Sequence, residues 1–416
     1  MPFFPCAHAS NSSWKLALKQ VEVQLSAQIS MQKLDDQPCL GLVYISQNYA
    51  DAAAEMVVHL SKAFPQVRDW VGCAGYSVLA GDLDYGHAGA LAVMLTYVPA
   101  HSYQVFSGQA PQLRQNFAAH FALVHGEASP SLAPQQLDLL RSKLSCQHLV
   151  GGVSDLQAQH VQWALGSGHA SHVQHIPASI GGGGMQMGGL SGVVFEQGVD
   201  CMFVGMQACK PQGSRYAITK IDADGQVVLE LDGRDALDVL ACEQLQRSVQ
   251  TLGDSLVAIS PADVDIYSDC VPPQAQVIRV SGVDQQRRGI VLNGKTREGC
   301  ALSLCEPDAQ ATRSDVRRAC AQVWDALTSE PPAVERDSAS PAVIGRSISG
   351  AIYIRNRARQ PVPNEPQLDV ELELIRHTLG PVPLMGFTST YEVDGPHLQH
   401  LSAQLLVFTQ PMHSFA

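Results

Sequence analysis

Residues Gln207–Leu240 read QACKPQGSRYAITKIDADGQVVLELDGRDALDVL, and the rest of the chain is organised around them. An apolar strand, Cys201–Met206, leads in, and Cys209–Gly213 reads as a loop. An alternating strand follows over Ser214–Ile221, then a turn at Asp222–Gly225 and a second strand over Gln226–Leu231. Asp-Gly in a short gap between two β-patterned runs predicts a hairpin, because glycine takes positive φ at no steric cost. Asp232 and Gly233 break the second strand. A helix begins after them, with Leu237, Leu240, Ala241 and Leu245 on its apolar face.

Working outward, a chain of 416 residues calls for two or three domains. Its 45% hydrophobic content is enough for large cores. No apolar run approaches the ~20 residues that span a bilayer. The opening MPFFPCAHASNSSW has neither the basic start nor the long apolar segment of a secretory signal. These features lead to the expectation of a cytoplasmic protein. A net charge of -12 argues against nucleic-acid and anionic-membrane partners. The 11 cysteines are irregularly spaced and contain no C-x-x-C, which argues against a disulfide framework and a zinc knuckle.

Before the central stretch, Ser13 can cap a helix over Trp14–Gln28. The order strand (39–46), helix (48–64), strand (70–73) and small-residue turn (74–77) reads as an α/β crossover unit. Such units place ligand groups at the turn after a strand. Strands at 90–98 and 102–106 follow, then helices at 112–125 and 134–144 and a short strand at 148–153. Residues 155–188 hold His160, His169, His172, His175 and the glycine run 181–184, and read as a solvated loop. After the central stretch come strands at 256–259, 276–280, 288–292 and 300–305, the last three spaced as an antiparallel meander. A helix at 309–327, a strand region at 342–355, a helix at 368–379 and strands at 382–387 and 402–408 complete the order. Val71–Tyr76 and Met385–Tyr391 echo one another: each is a strand end with glycine, then a polar turn with tyrosine.

The central stretch resembles the FIST family, whose members pair a FIST N with a FIST C domain. The resemblance rests on Gln207-Ala-Cys-Lys-Pro-Gln-Gly213, on Gly225–Gly233 with its Glu-Leu-Asp-Gly ending, and on the following Asp235-Ala-Leu237. It extends to the Gly72-Cys73-Ala74-Gly75 turn and to Pro383-Leu-Met-Gly386-Phe387 with Glu392. Ala208 and Tyr391 stand where the family has glycine, Gln226 where it has asparagine, and Asp235 where it has proline. The resemblance implies an α+β fold of two similar modules, with mixed β-sheets flanked by helices and a cleft between the modules. It divides the chain into a leader (1–35), a FIST N domain (36–232) and a FIST C domain (233–411).

The resemblance also implies a sensory module of signal transduction that binds a small, amino-acid-like ligand. With no output segment left over in the chain, a separate signalling partner protein is expected. Gly72, Cys73, Gly75, Gln207, Cys209, Arg346, Gly386, Phe387 and Glu392 are the candidate ligand-binding residues. Arg346 and Glu392 could read the carboxylate and ammonium of a zwitterion, with bidentate arginine on the acid. Two other readings stay open. Cys209, beside Lys210, could serve a hydrolase or transferase, since a neighbouring cation favours the thiolate. However, its closest downstream histidine is His377, so the base such a nucleophile needs is missing from the motif. The third reading is a protein-interaction scaffold. No Walker A, G-x-S-x-G or H-E-x-x-H motif occurs, and no metal or cofactor is expected.

Overall fold

A computed structural model describes residues 3–32, 38–108, 111, 113–127, 134–156, 161–166, 184–186, 189–247, 255–264, 270–272, 274–329, 343–359 and 362–413. His160, His169, His172, His175 and Gly181–Gly183 lie outside the described residues.

The chain begins with β1 (Cys6–Ser10), α1 (Trp14–Gln32), β2 (Leu40–Ser46), α2 (Ala53–Ala63), β3 (Asp69–Gly75), β4 (Val78–Ala80), β5 (Leu83–Asp84) and β6 (Ala90–Thr96). It continues through β7 (Tyr103–Ser107), β8 (Ala119–Glu127), α3 (Pro134–Leu144), β9 (His148–Ser154), β10 (Gln162–Leu165), β11 (Gly184–Gln186), β12 (Leu190–Glu196) and β13 (Cys201–Gln207). The middle comprises β14 (Cys209–Ile221), β15 (Val227–Leu231), β16 (Arg234–Asp235), α4 (Ala236–Arg247), β17 (Leu256–Ser260), β18 (Gln276–Asp284), β19 (Gly289–Leu292) and β20 (Ala301–Pro307). Last come α5 (Ala309–Thr328), β21 (Val343–Asn356), β22 (Gln367–Leu368), α6 (Val370–Leu379), β23 (Leu384–Ser389), β24 (Tyr391–Asp394), β25 (His397–Gln399) and β26 (Ser402–His413).

This is an α+β fold of mixed sheets and helices, in two compact units. The units interleave along the chain: one holds residues 1–204, 317–398 and 403–416, the other 205–316 and 399–402.

The larger unit is built from three βαβ crossovers. In each, two parallel strands flank a helix: β2-α2-β3, β8-α3-β9 and β21-α6-β23. Each parallel pair lies in its own sheet, in the orders β1-β6-β2-β3-β10-β11, β25-β24-β9-β8-β12-β7 and β13-β26-β21-β23-β4-β5-β22. The inner faces of the three sheets share one core, which includes Leu42, Val71, Leu123, Val150, Ile352 and Met385. The outer face of the first sheet packs Val43, Ile45, Trp70 and Val93 against α1 and α2. Strands covered on both faces read as unbroken apolar runs, which is why Leu40–Ser46 and Ala90–Thr96 do not alternate. Asp369 starts α6 by accepting the amide protons of Glu371 and Leu372, each at 3.0 Å.

The smaller unit is an antiparallel sheet in the order β14-β20-β17-β18-β19-β15-β16, with β14 also pairing β15. That extra pairing closes six strands on themselves, which leaves no open edge among them. Ile218, Val228, Val257, Val280, Ile290 and Leu302 fill the interior. The hairpin expected at Asp222–Gly225 is present, with β14 and β15 antiparallel and Gly225 at φ 73°.

Three expectations are corrected. Residues 119–127 form β8, not the end of a helix; the run Phe121–Val124 is buried between β9 and β12, where ladder pairing overrides helical spacing. Cys209–Gly213 belongs to β14 rather than to a loop, because Cys209–Gln212 pair with Leu304–Pro307. And β20 pairs β17 and β14 instead of extending the β18–β19 meander.

Candidate functional site at the converging strand ends

The three crossovers carry the same device at the same register. Gly72 stands opposite Val43, Gly151 opposite Val124, and Gly386 opposite Tyr353. A Cβ on these glycines would lie 1.8, 1.9 and 1.6 Å from the carbonyl oxygens of Val43, Val124 and Tyr353 respectively. The parallel strands therefore approach as only glycine permits. The echo between Val71–Tyr76 and Met385–Tyr391 has this physical basis, and residues 150–152 supply a third copy.

One residue further along lie the pairs Tyr44–Cys73, His125–Gly152 and Ile354–Phe387. All face the shared core near the carboxyl ends of their strands, the end at which α/β sheets place ligands. They meet there. The Phe387 ring lies 4.7 Å from that of Tyr44 and 6.0 Å from that of His125, and the Tyr44 and His125 rings lie 5.5 Å apart. Two more glycines make room for Phe387. A Cβ at Gly75 would fall 2.9 Å from its Cβ, and one at Gly152 2.9 Å from its ring.

The sheet containing β8 also carries a polar row across five strands. Ser107 pairs with Ser191, Ser191 with His125, His125 with Gly152, and Gly152 with Glu392. Ser191, His125 and Glu392 are fully buried. His125 Nε2 meets the Tyr44 hydroxyl at 3.2 Å. Among the described residues, His125 Nδ1, Ser191 Oγ and Ser107 Oγ are buried with no hydrogen-bond partner. Native proteins keep few such atoms, and each calls for an explanation such as a water or a ligand. Burial pushes the His125 imidazole down to about 3 and raises the Cys73 thiol and the Tyr44 hydroxyl, so all three are neutral near pH 7. Glu392 accepts a hydrogen bond from Ser389 Oγ at 2.6 Å.

Beside the row lies a buried charge cluster. Arg355 donates to Asp84 at 2.6 Å and to Asp369 at 2.5 Å, with all three side chains at most 1% exposed. Arg359 donates to Glu371 at 2.8 Å, and the Tyr353 hydroxyl donates to the same carboxylate. Asp84 also accepts from the Ser77 hydroxyl and, at 2.8 Å, from the Gly86 amide. These bonds hold the β4–β5 hairpin against β21 and α6. Next to them, Tyr76 donates to the Thr388 carbonyl at 2.9 Å, and Thr388 to the Ser77 carbonyl at 3.0 Å.

Of the residues predicted from sequence, Cys73, Gly75, Gly386, Phe387 and Glu392 gather at or next to this convergence, and Gly72 sets the register one step before it. Arg346 does not join them. It lies nine positions before Arg355 on β21, about 30 Å of extended strand, and pairs with Asp200 at 3.4 Å. The zwitterion clamp of Arg346 with Glu392 is therefore not assembled. Gln207 and Cys209 belong to the smaller unit. Gln207 donates its amide proton to Asp315 and its side chain to the Ala275 carbonyl at 3.4 Å. Cys209 is fully buried in an apolar cluster with Leu256, Ala258, Val271 and Cys305. A hydrogen bond with Cys209, together with burial, pushes the Cys305 thiol well up.

Sequence reasoning missed Tyr44, His125, Ser191, Asp84, Arg355, Asp369 and Glu371. Polar residues inside apolar strands, as in Leu-Val-Tyr44-Ile and Leu-Val-His125-Gly, were the available signal.

Three parallel crossovers with converging ends, joined in the chain to a closed antiparallel barrel, define an α+β protein with a buried polar centre. The family model of the FIST N domain matches residues 39–234 and that of the FIST C domain residues 236–393, so the chain belongs to the FIST family. FIST domains are associated with sensory roles in signal transduction. No curated protein matches the chain. Among the described residues, no helix is long and apolar enough to cross a membrane, and no cluster of His, Cys, Asp or Glu is placed to hold a metal ion.

Proposed function

We propose that this chain is a cytoplasmic sensor of a small polar ligand, which passes its signal to a separate protein. The observation that carries this reading is the row of buried, unpaired polar atoms at the converging strand ends. Polar groups that are hydrogen-bonded in water and left unpaired on folding cost stability, and a ligand that pairs them recovers it. Gly75, Gly152 and Phe387 place an aromatic wall beside the row, the mix of apolar surface and few polar groups that small-molecule sites use. The buried charge cluster fixes the adjoining hairpin, so a shift at Phe387 reaches both β4 and α6 through Thr388 and Asp84.

The cysteine-dependent reading is less well supported, because Cys209 is buried among apolar side chains and paired with a second thiol. The test is a thermal-shift screen of the full chain against amino acids and common metabolites. A ligand at about 100 times its Kd stabilises by about 2.7 kcal/mol, which is readily seen as a raised midpoint. A saturating rise that His125→Gln abolishes supports the sensor. If no compound gives a saturating rise, the sensor reading loses its support and the scaffold reading is tested next by partner capture, with the site variants as controls.

A further inference from the structure

Resting on the sensor reading, we propose that Ser107, Ser191 and His125 form the recognition element for a short, uncharged polyol. The three residues lie on adjacent strands, β7, β12 and β8, in direct cross-strand register. Directly paired residues project from the same face of a sheet. Neighbouring strands are about 4.8 Å apart, so the three groups form a line with that repeat. An oxygen placed between two of them reaches both at about 2.8 Å, an ordinary hydrogen-bond length. Two such oxygens would again be about 4.8 Å apart, a spacing set by the strands and close to that of hydroxyls on the first and fifth carbons of an extended chain.

The chemistry of the row points the same way. A serine hydroxyl both donates and accepts, and His125 Nδ1 does one or the other according to the tautomer that Tyr44 selects at Nε2. A ligand hydroxyl, which also does both, satisfies every orientation. A carboxylate only accepts and an ammonium only donates. The three side chains bring no charge of their own near pH 7, so a charged ligand group would lose its water without gaining a counter-charge from them. On the far side of His125 the Phe387 ring covers Gly152, so the recognition element ends at His125 rather than at Glu392.

The decisive experiment titrates the full chain, at low millimolar concentration, with sorbitol and xylitol and with two charged counterparts of sorbitol, gluconate and glucamine. Unfolding midpoints and binding heats are read for the wild type, Ser191→Ala and Ser107→Ala. Both variants remove a hydroxyl without a protein partner, so both fold and serve as binding controls. The expected result is a saturating rise with sorbitol or xylitol, at least tenfold weaker in Ser191→Ala, and none with gluconate or glucamine. Equal binding of the charged counterparts overturns the polyol assignment. So does a rise that is linear in polyol and unchanged in Ser191→Ala, the behaviour of an excluded osmolyte, which leaves water alone in the row. If another metabolite binds in a His125-dependent way while polyols do not, the polyol assignment fails and the sensor stands. If nothing saturates, both fall.

Discussion

Two buried cysteines, Cys73 and Cys209, stand at equivalent depth in different company. Around Cys73 the core is apolar for most of its height and turns polar at the strand ends, with Tyr44, His125, Ser191 and Glu392 all buried. Around Cys209 the neighbours are Leu256, Ala258, Val271, Ala275, Val277 and Cys305. Depth is the same, but the arrangement of unpaired polarity among the described residues is not: beside the Cys209 cluster Gln207 Oε1 is buried without a partner, whereas Ser107, Ser191 and His125 hold three such atoms in one cross-strand row. A dry apolar cluster is explained by packing alone, whereas orphaned hydroxyls and a neutral imidazole are not. The comparison teaches that the candidate site is marked by what burial has failed to satisfy.

The sharpest way to break that comparison is at the strands that create it. Gly386→Ala puts a methyl group 1.6 Å from the Tyr353 carbonyl, a backbone atom that cannot move without parting β21 from β23. A loss of more than about 4 kcal/mol is expected, in the range reserved for gross steric conflict. It is read as a collapse of soluble yield or a large drop in Tm. Gly282→Ala in the smaller unit, with open space around it, serves as the control and should fold.

Next in size is the charge cluster. Arg355→Met leaves Asp84 and Asp369 buried without their cation, and breaking such a pair typically costs about 3–5 kcal/mol. Arg346→Met removes an ion pair about one-third exposed on each side, worth at most about 1 kcal/mol. Urea midpoints for the two variants should differ accordingly. Equal midpoints would remove the cluster from the account of how the hairpin is held.

The polar row predicts a pH signature of intermediate size. The folded-state value of His125 is about 3, below the 6.5 of the free side chain. A depressed histidine contributes its stability in full above pH 6.5, and loses it as pH falls from there toward 3. At pH 5 the loss is about 2 kcal/mol, at about 1.4 kcal/mol per pH unit. His125→Gln should flatten the fall in Tm between pH 7.5 and 5, relative to wild type. His8 and His400, also depressed by burial, keep their share of the slope in both proteins, so the difference isolates His125.

The elements were legible where local pattern and tertiary role agreed. The Asp-Gly hairpin, the helices at 14–28 and 309–327, and the first crossover unit all followed from spacing and turn residues. Gly75, Gly386 and Phe387 stand out at turns after strands that resemble the family pattern, and Glu392 as a charge beside a strand end; the structure brings these four close to one another. The rest required three dimensions. Nothing local says that His125 is level with Gly152 and Ser191, since register between β8, β9 and β12 is set across dozens of residues. Nothing local marks Arg355, because its partners Asp84 and Asp369 sit 271 and 14 residues away. Cys209 misled for the opposite reason: Lys210, Pro211 and Gly213 look like an exposed loop, but the ladder with Leu304–Pro307 makes them a strand.

The smallest expected effect belongs to Cys209, and it bears most directly on the enzyme reading. Replacing it with alanine removes one sulfur from an apolar cluster, and a loss of about 1 kcal/mol is expected, typical of a modest core change. Alkylation separates packing from chemistry. Cys242 is exposed and should be modified within minutes by a neutral-pH maleimide, whereas Cys209 should be labelled only as fast as the smaller unit opens. Mass mapping of the modified chain with and without mild urea reads both rates at once. Rapid native labelling of Cys209 would mean that the cluster opens and that its thiol is available, returning weight to a cysteine nucleophile. Protection until urea opens the barrel leaves the polar row as the chemically unexplained centre of the molecule.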